Sequence, residues 1–126
     1  MELSEIEICF LHEFEESDED LYLLEIDVRL HFANDNDSPF EIRERVKNTI
    51  RNLYSKKLIE LHECHYVEEK PGYFKVTSIN KLPDSSVDEV LNNNKNWDKD
   101  YLFRQTKRFY FHPTKKGLEY LDALNT

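Results

Sequence analysis

The sequence predicts a single α+β domain over residues 1–126, and three observations lead to this prediction. A capped amphipathic helix and then a strand occupy the stretch from Ser38 to Tyr66. A Pro-Gly turn separates that strand from a second segment in which apolar and polar residues alternate. A third alternation lies far downstream, before a closing helix that begins after Thr114. With 126 residues, 39% of them hydrophobic and 13% aromatic, the chain is long enough for one buried core.

The N-terminal segment is predicted to begin with an extra strand. Apolar residues alternate with polar ones within residues 5–14, at Ile6, Ile8, Phe10 and Phe14. This period of two is typical of a half-buried strand. An acidic connection follows, so residues 1–20 are predicted to form an acidic N-terminal strand and loop. The next segment, Leu21–Phe32, also alternates in this way, and periodicity alone favours a strand there.

The clearest single element is a helix that begins at Pro39. Ser38 precedes it and Glu41 follows three residues later, which is the pattern of a capping box. Proline is favoured at the first helical position because its missing N–H is not needed there. The apolar residues recur at helical spacing, at Ile42, Val46, Ile50 and Leu53.

The second half of the chain is predicted to contain three strands and two helices. A strand from Leu58 to about Tyr66 should pair across the Pro-Gly turn with Tyr73–Thr77. Residues 80–104 contain a short helix weakened by asparagines, and we expect an insertion or a mobile segment there. A last strand at Lys107–His112 leads into the closing helix, which Thr114 is placed to cap.

This order of elements resembles that of winged-helix proteins. The ending Tyr110-Phe-His-Pro-Thr114-Lys-Lys-Gly117 resembles the strand-to-helix turn of that superfamily. The resemblance implies a winged-helix-like single domain and favours a helix for Leu21–Phe32, which is the prediction we adopt. One departure is Lys57, at a position where a turn glycine often follows the second helix.

Three short motifs are similar to those of a family of small bacterial proteins. They are Ile26-Asp27…Leu30, Ile50-Arg-Asn-Leu-Tyr-Ser-Lys-Lys-Leu-Ile-Glu-Leu61 and Asp88-Glu-Val…Trp97. The resemblance extends over roughly residues 20–124. Some members lie beside toxin genes, which implies immunity proteins. The resemblance defines no functional residues.

The charge distribution is uneven along the chain. Residues 1–37 contain 13 acidic residues and one basic residue, a net of −12, while the rest contain 13 acidic and 16 basic residues, a net of +3. An acidic surface speeds association with a basic partner, and bacterial nuclease toxins are commonly basic. We therefore expect a protein-binding module, in its sharpest form an immunity protein that neutralises a basic toxin. The expected contact residues are Glu13, Glu15, Glu16, Asp18, Glu19, Asp20 and Tyr22.

The alternative is a winged-helix DNA-binding transcriptional regulator. Its basic helix would enter the major groove while its hairpin contacted phosphates. The residues that would serve are Arg43, Arg45, Lys47, Asn48 and Arg51. The formal net charge of −9 opposes this reading, because duplex affinity depends largely on basic charge. The basic residues could instead form pairs along the helix with Glu41 and Glu44.

No catalytic or metal-binding constellation is predicted. The chain has two glycines, which excludes a glycine-rich phosphate loop. His62-Glu-Cys-His65 offers four possible metal ligands, but a strand would place His62 and Cys64 on one face and Glu63 and His65 on the other. We expect no enzymatic activity, no metal and no cofactor.

The composition also bears on the compartment. Two cysteines suggest no disulfide framework, and we expect reduced thiols. The acidic N-terminus does not resemble a secretory signal, and no apolar run approaches the length needed to cross a bilayer. The expected location is cytoplasmic.

Overall fold

The computed structural model describes residues 2–125 and confirms an α+β fold, with six α-helices and a three-stranded antiparallel sheet in that part of the chain. The elements are α1 (Glu5–Glu16), α2 (Leu21–His31), α3 (Pro39–Ser55), β1 (Ile59–Lys70), β2 (Tyr73–Lys81), α4 (Ser85–Asn92), α5 (Lys99–Leu102), β3 (Lys107–Pro113) and α6 (Lys115–Leu124). A 3₁₀ helix (Asn94–Trp97) lies between α4 and α5. The strand order is β2-β1-β3.

The predicted N-terminal strand is wrong, because the same residues form helix α1. Ser4 Oγ accepts a hydrogen bond from the Glu7 N–H at 3.3 Å, and the Glu7 carboxylate accepts one from the Ser4 N–H at 3.1 Å. This capping box satisfies backbone donors that the start of the helix leaves unpaired. The fully buried side chains are Phe10, Leu11 and Phe14, which have helical spacing. Leu11 is the apolar residue that a strand pattern cannot accommodate.

The prediction of a helix at Leu21–Phe32 is confirmed by α2. Leu24 and Val28 are completely buried, four residues apart on one face. Ile26 and Leu30, which a half-buried strand would also bury, are 42% and 69% exposed. The alternation in this segment therefore does not reflect its structure.

Helix α3 forms as predicted and lies at the centre of the molecule. Glu41 donates its backbone N–H to Ser38 Oγ at 3.1 Å, which completes the predicted capping box. The predicted apolar stripe is buried against α1, α2 and the sheet, with at most 4% exposure for Ile42, Val46, Ile50 and Leu53. Leu61 of β1 and Phe111 of β3 belong to the same core.

Helix α3 ends in a Schellman motif at Lys57. The Leu58 N–H donates to the Leu53 carbonyl at 3.1 Å, and the Lys57 N–H donates to the Tyr54 carbonyl at 2.9 Å. Lys57 has φ of 62°, a left-handed conformation that favours glycine. Lys57 therefore adopts the conformation of the turn glycine that was expected at this position.

Helix α6 is capped as predicted and packs closely against the start of β1. Thr114 Oγ1 accepts a hydrogen bond from the Gly117 N–H at 3.1 Å and donates to the Lys57 carbonyl at 2.7 Å. A Cβ at Gly117 would lie 2.2 Å from the Leu58 carbonyl oxygen. Only glycine allows this close approach.

The predicted hairpin is confirmed, although both strands are longer than expected. Gly72 has φ of 83° in the turn, and Cys64 of β1 lies opposite Ile79 of β2 and Arg108 of β3. The end of the hairpin near the turn is exposed on both faces, including Val67 and Tyr73. None of the helices between residues 2 and 125 combines the length and apolar character needed to cross a membrane.

Residues 80–104 contain α4, the 3₁₀ helix and α5. Leu91 and Trp97 are buried in the core, and the Trp97 Nε1–H donates to the Leu91 carbonyl at 2.9 Å. The Asn96 side chain likewise donates to the Val90 carbonyl at 2.9 Å. The segment therefore contributes to the core beside α2 and α3, while its description as an insertion or a mobile segment stays a prediction.

Candidate protein-binding surface

The cations of α3 are held by partners within the fold, and Arg43 is the clearest case. Its Nη2 and Nε donate to the Glu25 carboxylate of α2 at 3.0 and 3.2 Å. The guanidinium also lies 4.8 Å from the centre of the Trp97 ring. This two-point hydrogen-bonding geometry is the strong arrangement for an arginine–carboxylate pair. Arg43 therefore joins α3 to α2 and to the 3₁₀ helix.

The other cations predicted for DNA contact are also engaged. Arg45 Nη1 donates to the Phe32 carbonyl at 2.6 Å. Lys47 Nζ donates to the Asn92 side chain of α4 at 3.3 Å and lies 4.0 Å from the Glu44 carboxylate. The pairs predicted with Glu41 and Glu44 had a spacing of four residues, whereas Lys47 lies beside Glu44 at a spacing of three and Glu41 serves the capping box.

Arg51 connects α3 to α4. Its Nε donates to the Asp88 carboxylate at 3.0 Å, and its Nη1 donates to the Asn48 side-chain oxygen at 3.4 Å. The five residues of the DNA hypothesis, Arg43, Arg45, Lys47, Asn48 and Arg51, thus all contact other parts of the molecule or each other. Each of these cationic side chains therefore has part of its donors engaged within the fold.

Carboxylates gather in a different way where α1 meets α2. We call Glu13, Glu16, Glu19 and Asp27 the acidic cluster. Within residues 2–125, no lysine or arginine forms a salt bridge with any of the four. Partial burial together with Asp27, Glu19 and Glu16 raises the pKa of Glu13 to about 7. Burial and Glu19 likewise raise the pKa of Asp27, with His31 opposing them.

The predicted contact residues divide between this cluster and the connection to α2. Glu15 and Glu16 are exposed at the end of α1, and Ser17 Oγ donates to Glu19 Oε1 at 2.6 Å. Asp20 is buried with 8% exposure, and its carboxylate lies 3.7 Å from Arg108 Nη1 of β3. Burial raises the pKa of Asp20, although Arg108 opposes this effect. Asp20 therefore holds the connection against the sheet.

Tyr22 and Asp18 lie beside the same strand. Burial and the nearby Asp20 raise the pKa of the Tyr22 phenol, which is half-buried near Arg108. Asp18 Oδ1 lies 2.6 Å from His112 Nε2 of β3. The connection between α1 and α2 is thus fixed at two points on β3, and this orients the acidic cluster relative to the sheet.

His112 belongs to a hydrogen-bonded chain on the face of the sheet opposite Leu61 and Phe111, which we call the outer face. Its Nδ1 lies 2.7 Å from His62 Nδ1, and His62 Nε2 lies 2.7 Å from Glu60 Oε2. These contacts connect Asp18 to Glu60 through His112 and His62.

The four possible ligands His62–His65 do not converge. His62 contacts His112 on the outer face, whereas His65 Nε2 contacts the Glu63 carboxylate on the other face, so the predicted alternation is confirmed. Over residues 2–125, no group of three or more His, Cys, Asp and Glu side chains is placed to hold a metal ion.

Two features of this surface were not predicted from the sequence. Asp27 was missed because its proximity to Glu13 depends on the packing of α1 as a helix. The contact between His62 and His112 depends on the register of β1 and β3, in which His62 lies opposite Tyr110. The sequence did contain a signal for helix α1, on which the position of Asp27 beside Glu13 depends. That signal is the capping box of Ser4 and Glu7.

Comparison with protein-family models, with curated proteins and with solved structures finds no match to this chain. The expectation of a winged-helix fold and of an immunity protein therefore stays a prediction from the sequence. The functional proposal that follows rests on the chemistry of the surfaces described above.

Proposed function

We propose that this protein is a winged-helix-like, protein-binding module that captures a basic protein partner through the acidic cluster. In its most specific form, it is an immunity protein that neutralises a basic toxin. The observation that carries the proposal is the crowding of Glu13, Glu16, Glu19 and Asp27 without a lysine or arginine partner in residues 2–125.

A basic partner would relieve a specific electrostatic cost. Partial burial, together with Asp27 and Glu19, raises the pKa of Glu13 to about 7, so its ionisation near neutral pH places one more negative charge in a crowded site. A cation about 4 Å from a carboxylate near the protein surface contributes about 4 kcal/mol of attraction. A partner's lysine or arginine at this position would therefore favour the ionised cluster.

The winged-helix-like part of the proposal is supported by the order of elements around α3. This helix is followed directly by the β1–β2 hairpin, whose exposed tip corresponds to a wing. A DNA-binding regulator remains the alternative. The intramolecular contacts of Arg43, Arg51 and Lys47 favour the protein-binding proposal over it, because those side chains already serve the fold.

The test is affinity capture from the native host with three immobilised proteins. One is the wild type, the second carries Glu13→Gln, Glu16→Gln and Glu19→Gln, and the third is a matched control. The control neutralises three exposed carboxylates on other elements, Glu69, Glu89 and Glu119.

A basic protein retained by the wild type and the control, and lost by the cluster variant, is the expected result. Equal retention by all three proteins, or retention of an acidic protein, would contradict the proposal. Fluorescence anisotropy with the gene's own upstream DNA tests the alternative, and we expect no specific binding tighter than about 1 μM at physiological salt.

A further inference from the structure

A pocket on the outer face of the sheet combines aromatic side chains with an arginine, which distinguishes it from the acidic cluster and from α3. It has a volume of about 320 Å³, at the lower end of the range for small-molecule sites. Aromatic rings dominate its lining, and one cation stands among them. The lining residues are Tyr66, Phe74, Phe103, Gln105, Arg108 and Tyr110.

Two of the aromatic walls are exposed in the free protein. Phe74 of β2 is 56% exposed and Phe103, just after α5, is 59% exposed. They lie far apart in the sequence, and both line this pocket. Exposed aromatic rings that converge on a concavity are a common feature of ligand sites, since a planar ligand buries them efficiently.

Arg108 gives the pocket its polar character. Its side chain is only 19% exposed, and it lines the pocket. Among residues 2–125, its one hydrogen bond to a side chain is long, 3.4 Å from Nη1 to the Tyr110 hydroxyl, and its ion pair with Asp20 spans 3.7 Å. A guanidinium carries five N–H donors, and these two contacts both involve Nη1. Donors therefore remain for a ligand.

A carboxylate is the group that fits these donors best. Guanidinium and carboxylate match in shape and form two parallel hydrogen bonds, and both are planar like the neighbouring rings. A polyanion fits less well, because Asp20 and Asp18 lie beside the same strand and would repel additional negative charge. The aromatic walls favour a flat apolar body behind the carboxylate.

We propose that this pocket binds a small aromatic monocarboxylate, with the carboxylate on Arg108 and the ring between Phe74 and Phe103. This site is separate from the proposed partner surface and does not depend on it. Asp20 competes with the ligand for the same guanidinium, so binding is weakened by the protein's own carboxylate. For a ligand of this size, a dissociation constant on the order of 1 mM is expected.

The test is an NMR titration of the ¹⁵N-labelled full chain with three probes. They are 3-phenylpropionate, p-cresol, which has a ring without a carboxylate, and butyrate, which has a carboxylate without a ring. We expect 3-phenylpropionate to shift the amide signals of Tyr66, Phe74, Arg108 and Tyr110 saturably. The other two probes should bind at least about tenfold more weakly, because each lacks one of the two groups.

Three variants separate binding from folding. Phe74→Ser changes an exposed side chain and should weaken binding about tenfold while the remaining spectrum is preserved. Arg108→Gln should abolish carboxylate selectivity, but it also leaves Asp20 buried without its cation. Asp20→Asn is therefore the sharper variant: it keeps the shape, removes the competing charge and should tighten binding at least about threefold.

The proposal is overturned if 3-phenylpropionate produces no saturable shifts below about 10 mM. It is also overturned if p-cresol binds as tightly, which would make the pocket an apolar anchor for a protein side chain. Unchanged or weaker affinity in Asp20→Asn, with a native spectrum, would exclude Arg108 as the carboxylate partner.

Discussion

Helix α3 and the junction of α1 with α2 each carry four like charges, but the fold treats them differently. On α3, Arg43, Arg45, Lys47 and Arg51 all donate hydrogen bonds to other elements. At the junction, the acidic cluster includes Glu13, whose partial burial and acidic neighbours raise its pKa to about 7. A charged side chain that is paired within the fold stabilises the packing of its elements. A carboxylate that is crowded by other carboxylates has, in our proposal, a partner's cation to bind. The formal net charge alone would not distinguish the two.

The largest expected loss of stability concerns the apolar stripe of α3. Packing of this stripe holds α3 in the position from which its cations reach their partners. Ile50 is completely buried at the centre of the stripe, so Ile50→Ala removes apolar contacts and leaves a cavity. We expect a loss of about 2–5 kcal/mol in the free energy of unfolding, measured by urea denaturation. A loss below about 1 kcal/mol would mean that α3 is not the central helix of the core.

The next effect concerns the best-formed ion pair of α3. Glu25 is 8% exposed and accepts two hydrogen bonds from Arg43. Glu25→Gln should cost about 2 kcal/mol, because it leaves the guanidinium without its charge partner. Denaturant unfolding at pH 7 measures this value. A neutral result would show that the α3 cations are no better paired than ordinary surface charges.

Glu13→Gln should have the opposite sign. The pKa of Glu13 is about 7 in the folded protein and about 4.5 in the unfolded chain, so the folded state binds the proton more tightly. Wild-type stability should therefore be retained below about pH 4.5 and fall as the pH rises through about 7. At pH 8 the variant should be more stable than the wild type by about 1 kcal/mol. This value is smaller than the pKa shift alone would give, because solvent screens the charge of a partly exposed carboxylate.

Denaturation of both proteins at pH 5 and pH 8 checks this prediction. The difference should be small at pH 5, where Glu13 is mostly protonated in the folded protein. Partner binding at neutral pH should also release a proton from Glu13, since a nearby cation lowers its pKa. Destabilisation by Glu13→Gln at pH 8 would mean that Glu13 is paired rather than crowded.

The smallest effect is expected at the exposed end of α3. Arg51 pairs with Asp88, whose side chain is 71% exposed, and solvent screens such pairs. Arg51→Ala should cost about 0.5 kcal/mol or less in denaturant unfolding. A cost similar to that of Glu25→Gln would show that α4 depends on this pair for its docking.

The elements that could be predicted from the sequence are those whose signals are local. Helix α3 has its capping box and apolar stripe within one segment, and the turn at Gly72 and the cap at Thr114 are equally local. Helix α1 was missed because its even-numbered apolar residues also suit a strand. The local signals for a helix, Leu11 and the Ser4 capping box, lie in the same segment and did not enter the prediction.

The candidate site was less predictable, because it depends on packing between elements. Glu13, Glu16 and Glu19 were expected as contact residues from charge alone, but Asp27 joins them only once α1 and α2 pack as helices. Asp20 was grouped with them, although its burial against Arg108 is a tertiary property. Net charge indicates that an acidic surface exists, and the arrangement of its neighbours determines which carboxylates remain unpaired.

The most direct test of the central claim is the association rate with the captured basic partner, measured by stopped-flow mixing. The variant carries Glu13→Lys, Glu16→Lys and Glu19→Lys, and the control carries the same reversals at Glu69, Glu89 and Glu119. At low salt, we predict that the cluster variant associates at least about tenfold more slowly than the control, with the difference shrinking as salt screens the charges. Equal rates for the two variants at low salt would contradict the claim that the unpaired carboxylates of the acidic cluster guide the partner.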